Sequence, residues 1–442
     1  MSDVASGTER YLADFRAFAH NGAAVAPAWL KEIRESAIAR FAELGFPTTK
    51  QEEWRFTSVA AIAETRFTHP ASPIPQLGPR AIEPFLIGGG PRVVIVDGHY
   101  AAELSTASST PKGVRVSSLA AALRTDGDSA LARGHLTRYA RWQESPFAAL
   151  NTAFLVDGAF VHVPADATLE QPLEILYLAT GRERTVSHPR TLVVVERGAR
   201  AAIVETFAGV AEGGPYWTNA VSEVVVGQGA HVELYRVQRQ GPESFQIATT
   251  QSRQERDSFL GVHVLTLGAG LARHDINAVL DGAGAELILN GLYLLNGAQH
   301  ADHHTVIDHA QPRCASHEFF NGVVGERAHG VFNGRIIVRP GAQRTDSKQT
   351  NNNLLLSTEA RADSQPQLEI YADDVKCTHG STVGPIDPMQ LYYLRSRGLS
   401  PETARGILTY GFGAEILGRM RHPEVRAQMD RLVRERLGEG RA

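Results

Sequence analysis

The chain has very little cysteine: Cys314 and Cys377 are the only two among 442 residues. Two cysteines do not form a disulfide framework, and such a low number suits a reducing compartment. They also limit the metal chemistry of the chain, because a cluster held by four thiolates cannot be built from two.

Other features are missing as well. No run approaches the roughly 18 apolar residues that would span a membrane, and Met1–Arg10 is polar and lacks the apolar core of a signal peptide. The net charge of -4 gives no basis for nucleic-acid binding. No Gly-x-x-x-x-Gly-Lys-Ser/Thr loop occurs, so ATP hydrolysis by this chain is not expected. We expect a cytoplasmic protein with neither a membrane nor a nucleic-acid partner.

Most of the chain has the pattern of β-strands. From about Phe154 to Gly384, short apolar runs with a period of two residues alternate with glycine-containing turns, as in Thr191–Val195 and Val221–Val226. The gaps between the runs are too short for the crossover helices of a doubly wound sheet. A sandwich and a solenoid of strands both remain. The run Asn351–Asn353 favours the solenoid, because consecutive asparagines suit tight turns.

The two ends of the chain have the pattern of helices. Pro27–Leu44 has apolar residues near helical spacing and is followed by a glycine. Asp387 and Ser400 each precede a proline, which is typical of a helix N-cap followed by the first helical residue. We therefore predict a helix-rich region at residues 1–150, a β core at residues 151–385 and a C-terminal helical domain at residues 386–442.

The candidate chemistry is concentrated in Leu368–Gly384, which has the pattern of two strands separated by a break at Ala372–Asp374. Cys377 and His379 are two residues apart on the second strand, so their side chains point to the same face. A thiolate and an imidazole are ligands for a soft metal, but they make only half of a tetrahedral set. The alternative is a structural cysteine that packs as a small apolar side chain beside a hydrogen-bonded histidine.

Two long motifs carry a resemblance to a known family. LEIYADDVKCTHGSTVG at Leu368–Gly384 and FNGRIIVRPGAQRTDSKQTNNNLLLS at Phe332–Ser357 resemble the core of the SufD family, a component of the Suf scaffold that assembles iron-sulfur clusters. The related SufB subunit carries Glu-His-Glu where this chain has Lys-Cys-x-His at Lys376–His379. The resemblance implies a mainly β fold, with a right-handed parallel β-helix core between helical regions.

The same resemblance implies a function and partners. The chain would be a non-catalytic scaffold subunit that pairs with SufB along the β-helix and with the SufC ATPase, and a homodimer is an alternative for the isolated chain. No cofactor would be bound tightly by the chain alone. A transient iron-sulfur cluster would be shared with SufB, and a reduced flavin is a further candidate in the assembled complex.

The resemblance also suggests candidate site residues. Cys377 and His379 would form a metal or cluster site at the SufB interface, supported by Lys376 and Asp374. The SufC ATPase would bind the C-terminal helices, where the candidate docking residues are Tyr410, Phe412, Glu415 and Ile416. The aromatic and apolar side chains of this group suit a second interpretation equally well, namely packing on the end of the solenoid.

Two other functions are considered on the residues alone. Asp373 and Asp374 suggest the paired acids of a carbohydrate-cleaving β-helix enzyme, although adjacent strand residues point to opposite faces. A second alternative is a metal-dependent oxygenase built on the histidine-rich strands, with Asp302–His303 and Asp308–His309 as supporting pairs. We favour instead a polar outer wall of stacked strands for six histidines, His300, His303, His304, His309, His317 and His329.

The segment Phe46–Val59 also has two interpretations. Trp54 lies between charged residues, which fits an aromatic anchor that docks a partner. The same tryptophan equally fits a residue packed beneath the N-terminal helices.

Overall fold

The computed structural model describes residues 2–20, 26–70, 77–106, 110–182, 184–210 and 214–438. Its α-helices are α1 (Ser2–His20), α2 (Ala28–Leu44), α3 (Ala60–Glu64), α4 (Leu119–Ala122), α5 (Asp126–His135), α6 (Pro146–Ala153), α7 (Pro388–Ser396), α8 (Pro401–Leu417) and α9 (Pro423–Leu437). In these ranges no helix is both long and apolar enough to cross a membrane.

The strands are short and closely spaced, as the pattern of apolar runs predicts. They are β1 (Arg92–Val96), β2 (His99–Tyr100), β3 (Arg115–Ser118), β4 (Gly158–Val163), β5 (Leu173–Ala179), β6 (Val186–Ser187), β7 (Arg190–Val195), β8 (Arg200–Gly209), β9 (Trp217–Val226), β10 (His231–Arg239), β11 (Phe245–Gln254), β12 (Phe259–Thr266), β13 (Leu271–Leu280), β14 (Glu286–Leu295), β15 (His300–His309), β16 (Ala315–Val324), β17 (His329–Val338), β18 (Asp346–Leu355), β19 (Arg361–Ile370) and β20 (Lys376–Pro385).

The strands form two facing sheets of a parallel β-solenoid. In sheet 1 the order is β2-β1-β5-β8-β10-β12-β14-β16-β18-β20, and in sheet 2 it is β19-β17-β15-β13-β11-β9-β7-β4-β3. Consecutive strands of the core alternate between the sheets, so the chain winds through about eight turns. Alternate side chains point inward, and those on the inner faces of the two sheets form one continuous apolar core. The expectation of a mainly β solenoid flanked by helices is confirmed.

The two ends of the solenoid differ. At the first end, β1 pairs with β5, and β3 pairs antiparallel with β4, so segments from the N-terminal part of the chain extend both sheets. At the last end, β20 pairs only with β18, and β19 pairs only with β17. Two strands of ten residues each therefore present a free backbone edge, within the part of the chain that the structure describes.

The helices cover the outer faces of the sheets. Side chains from α1, α2, α3 and α6 pack with Trp217, Ile247 and Leu271 on the outer face of sheet 2. Side chains from α8 and α9 pack with Val237 and Leu292 on the outer face of sheet 1. The side walls are thus partly covered, whereas the edge strands at the last end are exposed.

Local sequence accounts for the helix starts in the C-terminal region. The Asp387 carboxylate accepts a hydrogen bond from the Met389 amide at 2.8 Å, and the Ser400 hydroxyl accepts one from the Thr403 amide at 3.1 Å. Proline follows each cap at the first helical position, where its missing N–H costs nothing. The predicted caps of α7 and α8 are therefore confirmed.

Candidate functional site

Cys377 and His379 lie on β20, the terminal strand of sheet 1. Their register partners on β18 are Ser347 and Gln349, which are fully buried on the interior face. Since register partners in a parallel ladder share a face, both candidate ligands point toward the solenoid interior. Cys377 packs against the end of the apolar core, whereas His379 is exposed. A ligand or partner therefore reaches the pair from the last end of the solenoid, where the edges of β19 and β20 are free. We refer to it as the open end.

The environment of Cys377 favours the neutral thiol. Burial raises the pKa of the thiol above its usual value, and the nearby Asp346 carboxylate raises it further, against a hydrogen bond from the Ser347 backbone. Because only the thiolate is a good metal ligand, binding here has to displace the proton. Within the described ranges no three His, Cys, Asp or Glu residues group closely enough to hold a metal ion. The pair thus presents a half set of ligands.

The two supporting candidates lie away from this pair. Lys376 is adjacent to Cys377 on the strand, so its side chain points to the outer face, beside its register partner Asp346. Asp374 lies in the turn before β20, with its carboxylate 3.7 Å from the exposed Arg344 guanidinium. The structure therefore does not bring Lys376 or Asp374 to the face that carries Cys377 and His379.

The four candidate docking residues of α8 differ in burial. Ile416 is fully buried against sheet 1, so it is not available to a partner, and its inclusion as a docking residue needs correction. Phe412 is half-buried, and its backbone oxygen accepts a hydrogen bond from Asn321 at 2.8 Å. Tyr410 is half-buried and donates to Asp430 of α9 at 2.5 Å. Of the four, only Glu415 is exposed.

A more exposed apolar surface lies on α7. Met389, Tyr392 and Tyr393 are 70%, 68% and 57% exposed, and none of the residues of α7 is buried. Their spacing of three and four residues places them on one side of the helix. Ile407 of the neighbouring α8 is 44% exposed as well. We refer to these four residues as the α7 patch. The sequence reasoning missed it, although the spacing of the apolar residues in α7 was the available signal.

The histidine-rich strand β15 splits its side chains between two faces. His303 and His309 point inward, where His303 stacks on Tyr293 and His309 hydrogen-bonds Ser316 at 2.8 Å. The predicted outer polar wall is thus wrong for these two histidines. The pairing of Asp302 with His303 is also wrong, because adjacent strand residues point to opposite faces.

Asp302 and His304 share the outer face of β15, 3.0 Å apart. Although burial opposes it, the Asp302 carboxylate raises the pKa of His304 to about 9. Arg273 also binds Asp302, at 2.9 Å. His304 is therefore a protonated member of a buried ion cluster, which is a poor state for a metal ligand.

The segment around Trp54 belongs to the same cluster. The Arg273 guanidinium lies 3.7 Å from the centre of the Trp54 ring and donates to the Glu53 carbonyl at 2.6 Å. The Thr57 hydroxyl donates to Asp302 at 2.6 Å. Trp54 is buried, so the second interpretation of this segment, packing beneath the helices, is the one that the structure shows.

Comparisons with known proteins agree with this architecture. The SUF system FeS cluster assembly SufBD core domain matches residues 177–412. The SufBD protein N-terminal region matches residues 5–77 and 90–175. The first match contains both free edge strands and the pair Cys377 and His379.

Similar proteins are named for iron-sulfur cluster assembly. An iron-sulfur cluster assembly SufBD family protein of Synechocystis sp. is 32% identical, with 87% of this chain and 86% of the relative covered. The iron-sulfur cluster assembly protein SufD of Escherichia coli is 30% identical, with 90% of each covered. The protein of the same name in Bacillus subtilis is 27% identical, with 93% and 94% covered. The chain therefore belongs to the SufBD family of iron-sulfur cluster assembly proteins and is SufD-like.

Proposed function

We propose that this chain is the SufD subunit of a scaffold complex with SufB and the SufC ATPase, and that Cys377 and His379 complete an assembly site at the SufB interface. The observation that carries the proposal is the position of the pair. Both residues face inward on a terminal strand, and no further strand pairs with that strand beyond them in the part of the chain that the structure describes.

Ligand chemistry supports a shared site. A thiolate and a neutral imidazole both bind iron, but a tetrahedral metal needs further ligands from elsewhere. A second subunit placed over the open end would supply them and would also shield the nascent cluster from water. The cluster is cargo in this proposal, so the isolated chain is a scaffold rather than an enzyme.

The edge strands support an end-on contact with SufB. A free edge of ten residues readily pairs with a strand of another chain, and proteins usually cover such edges. Three exposed apolar residues, Ile370, Tyr371 and Val383, lie on or beside these strands. Since the helices cover much of both side walls, we place SufB at the open end, rather than generally along the β-helix.

The C-terminal helices support a separate site for SufC. The α7 patch projects from a helix that packs only partly on its neighbours, which suits a docking surface. Glu415 is exposed on α8 and remains a candidate from the original set. No phosphate-binding loop occurs in this chain, so the ATP hydrolysis of the complex belongs to SufC.

Reciprocal substitutions test the two contacts. The chain is co-expressed with SufB and SufC, and the subunits that co-purify with it are quantified. Val383→Asp places a charge at the exposed open end and should release SufB while SufC is retained. Tyr392→Asp places the same charge in the α7 patch and should release SufC while SufB is retained.

Both parent residues are exposed, so each variant is the folding control for the other. Loss of SufC from the Val383→Asp complex, with SufB retained, would contradict the proposal.

A further inference from the structure

Two polar columns lie inside the solenoid beneath the candidate site. In one column Ser316, Ser347 and Cys377 are successive register partners on β16, β18 and β20. In the other column the partners are Glu318, Gln349 and His379.

The polar residues of both columns begin at β16. One strand further from the open end, on β14, the register partners of Ser316 and Glu318 are Leu287 and Leu289. Both leucines belong to the apolar core. Within these two columns, polar side chains are therefore confined to β16, β18 and β20, at and directly below Cys377 and His379.

In the second column, a hydrogen bond with a defined donor and acceptor joins Gln349 and Glu318. The Gln349 side-chain amide donates from Nε2 to the Glu318 carboxylate at 2.6 Å. The carboxylate form of Glu318 only accepts, so in that form the bond fixes which end of the Gln349 amide faces Glu318. The Gln349 Oε1 atom is the other end of this amide and does not take part in the bond to Glu318. It is buried, and no described residue donates a hydrogen bond to it.

An unpartnered buried acceptor is costly, because it has lost its water without gaining a partner. Gln349 packs closely on the facing sheet. Its amide nitrogen lies so near to Gly334 that a Cβ at that position would collide with it. The nearest titratable group above Gln349 in the ladder is His379, its register partner at the open end. An imidazole N–H is the kind of donor that this oxygen lacks.

We propose that Gln349 is a positioning residue for His379: its Oε1 accepts the N–H of the ring nitrogen that does not bind metal, and Glu318 holds the amide in that orientation. The inference rests on the proposed function, because it assumes that His379 is a ligand. Metal-binding histidines usually donate their other N–H to such an acceptor, which fixes the tautomer and the orientation of the ring.

The test uses the assembled complex with SufB and SufC, reconstituted with ferrous iron and sulfide. Cluster loss to an iron chelator is followed by absorption, and melting temperature and subunit ratio are measured on the same samples. The assays are run at pH 8, because burial raises the pKa of Glu318 to about 7 and its carboxylate form is wanted.

Gln349→Met removes the acceptor with little change in volume. We expect cluster loss about 10- to 100-fold faster than in the unmodified complex, the usual effect of removing such a partner. Lys348→Met is the matched control, because it introduces the same side chain at the next residue, on the outer face of the strand. It should leave the rate of cluster loss unchanged.

A swap of the two side chains separates positioning from packing. Glu318→Gln combined with Gln349→Glu keeps the volume and the charge, and it places a carboxylate acceptor beneath His379. We expect this double variant to restore slow cluster loss. Fast loss from a swapped complex that melts and assembles normally would overturn the inference.

His379→Ala distinguishes a failure of the positioning role of Gln349 from a failure of the proposed ligand role of His379. If His379→Ala loses clusters rapidly and Gln349→Met behaves like Lys348→Met, the positioning role of Gln349 is wrong and the proposed site stands. If His379→Ala retains clusters as well as the unmodified complex, both the ligand role of His379 and the role of Gln349 are wrong.

Discussion

Cys377 and His379 point to the same interior face from positions two residues apart, yet Cys377 packs on the core and His379 is exposed. The difference arises because β20 is the last strand, so nothing in the described part of the chain covers the side of the pair that faces the open end. The two candidate ligands should therefore contribute unequally to the stability of the isolated chain.

The first prediction concerns the unequal contributions of Cys377 and His379 to the stability of the isolated chain. In the isolated chain, where no described residue donates to Gln349 Oε1, His379→Ala should change the free energy of unfolding by less than about 0.5 kcal/mol, as expected for an exposed side chain. Cys377→Ser should cost about 1 kcal/mol, because it places a hydroxyl against the apolar end of the core. Urea unfolding of the isolated chain measures both values, with the exposed, outward-facing Thr378→Ala as a control. A larger cost for His379→Ala would mean that the imidazole is a structural part of the fold.

The second prediction concerns the buried ion cluster that fastens the Trp54 segment to sheet 2. Arg273→Ala leaves the buried Asp302 carboxylate without its guanidinium partner and should destabilise the protein by about 3–5 kcal/mol. Arg344→Ala removes an exposed guanidinium 3.7 Å from Asp374 and should cost less than about 1 kcal/mol. Chemical denaturation compares the two. Equal costs would show that the Arg273 cluster does not fasten the segment.

The third prediction is a pH dependence of stability in the alkaline range. The pKa of His304 is raised to about 9, above the roughly 6.5 expected in the unfolded chain. Protonated His304 therefore stabilises the fold fully below about pH 6.5, and this contribution is lost as the pH rises through about 9. His304→Gln should remove that part of the decline between pH 7 and pH 9.

Urea unfolding at a series of pH values measures the effect of His304. The exposed His317→Gln is the matched control and should keep the decline of the unmodified protein. A curve for His304→Gln that is parallel to the unmodified curve over this range would show that Asp302 does not hold the proton on His304.

Period-two apolar runs predict the strands of the core, because such runs need no tertiary information. They leave a sandwich and a solenoid both open, and the resemblance to the SufD family decides between the two. The same alternation predicts the shared face of Cys377 and His379. It does not predict which end stays open, since that depends on β1 and β3 extending the two sheets at the first end. These pairings join segments that are distant in sequence, and a local pattern carries no information about them.

Two errors have a common physical cause. On β15 both parities are polar, so alternation alone does not reveal that His303 and His309 face inward. On α8 apolar residues occur on several sides of the helix, so spacing does not show that Ile416 is buried. In both elements the buried face is chosen by the surface against which the element packs.

The fourth prediction concerns the cluster capacity of the isolated chain. With only two cysteines, one in the turn before β16 and one on β20, the chain alone should hold little stable cubane cluster. Anaerobic reconstitution with iron and sulfide, followed by charge-transfer absorption and iron analysis, checks this. Intense stoichiometric absorption from the purified monomer would mean that a complete ligand set exists without SufB.

The most direct test of the central claim is the cluster content of assembled complexes that carry His379→Ala. Complexes with SufB and SufC are purified from unmodified, His379→Ala and Thr378→Ala chains, and iron and sulfide are measured per complex. Thr378 is the adjacent exposed residue on the outer face of β20, so it controls for a change at this edge. We predict that all three assemble with the same subunit ratio and melting temperature, and that only His379→Ala has lowered cluster content. Unmodified cluster content in the His379→Ala complex would contradict the interfacial site.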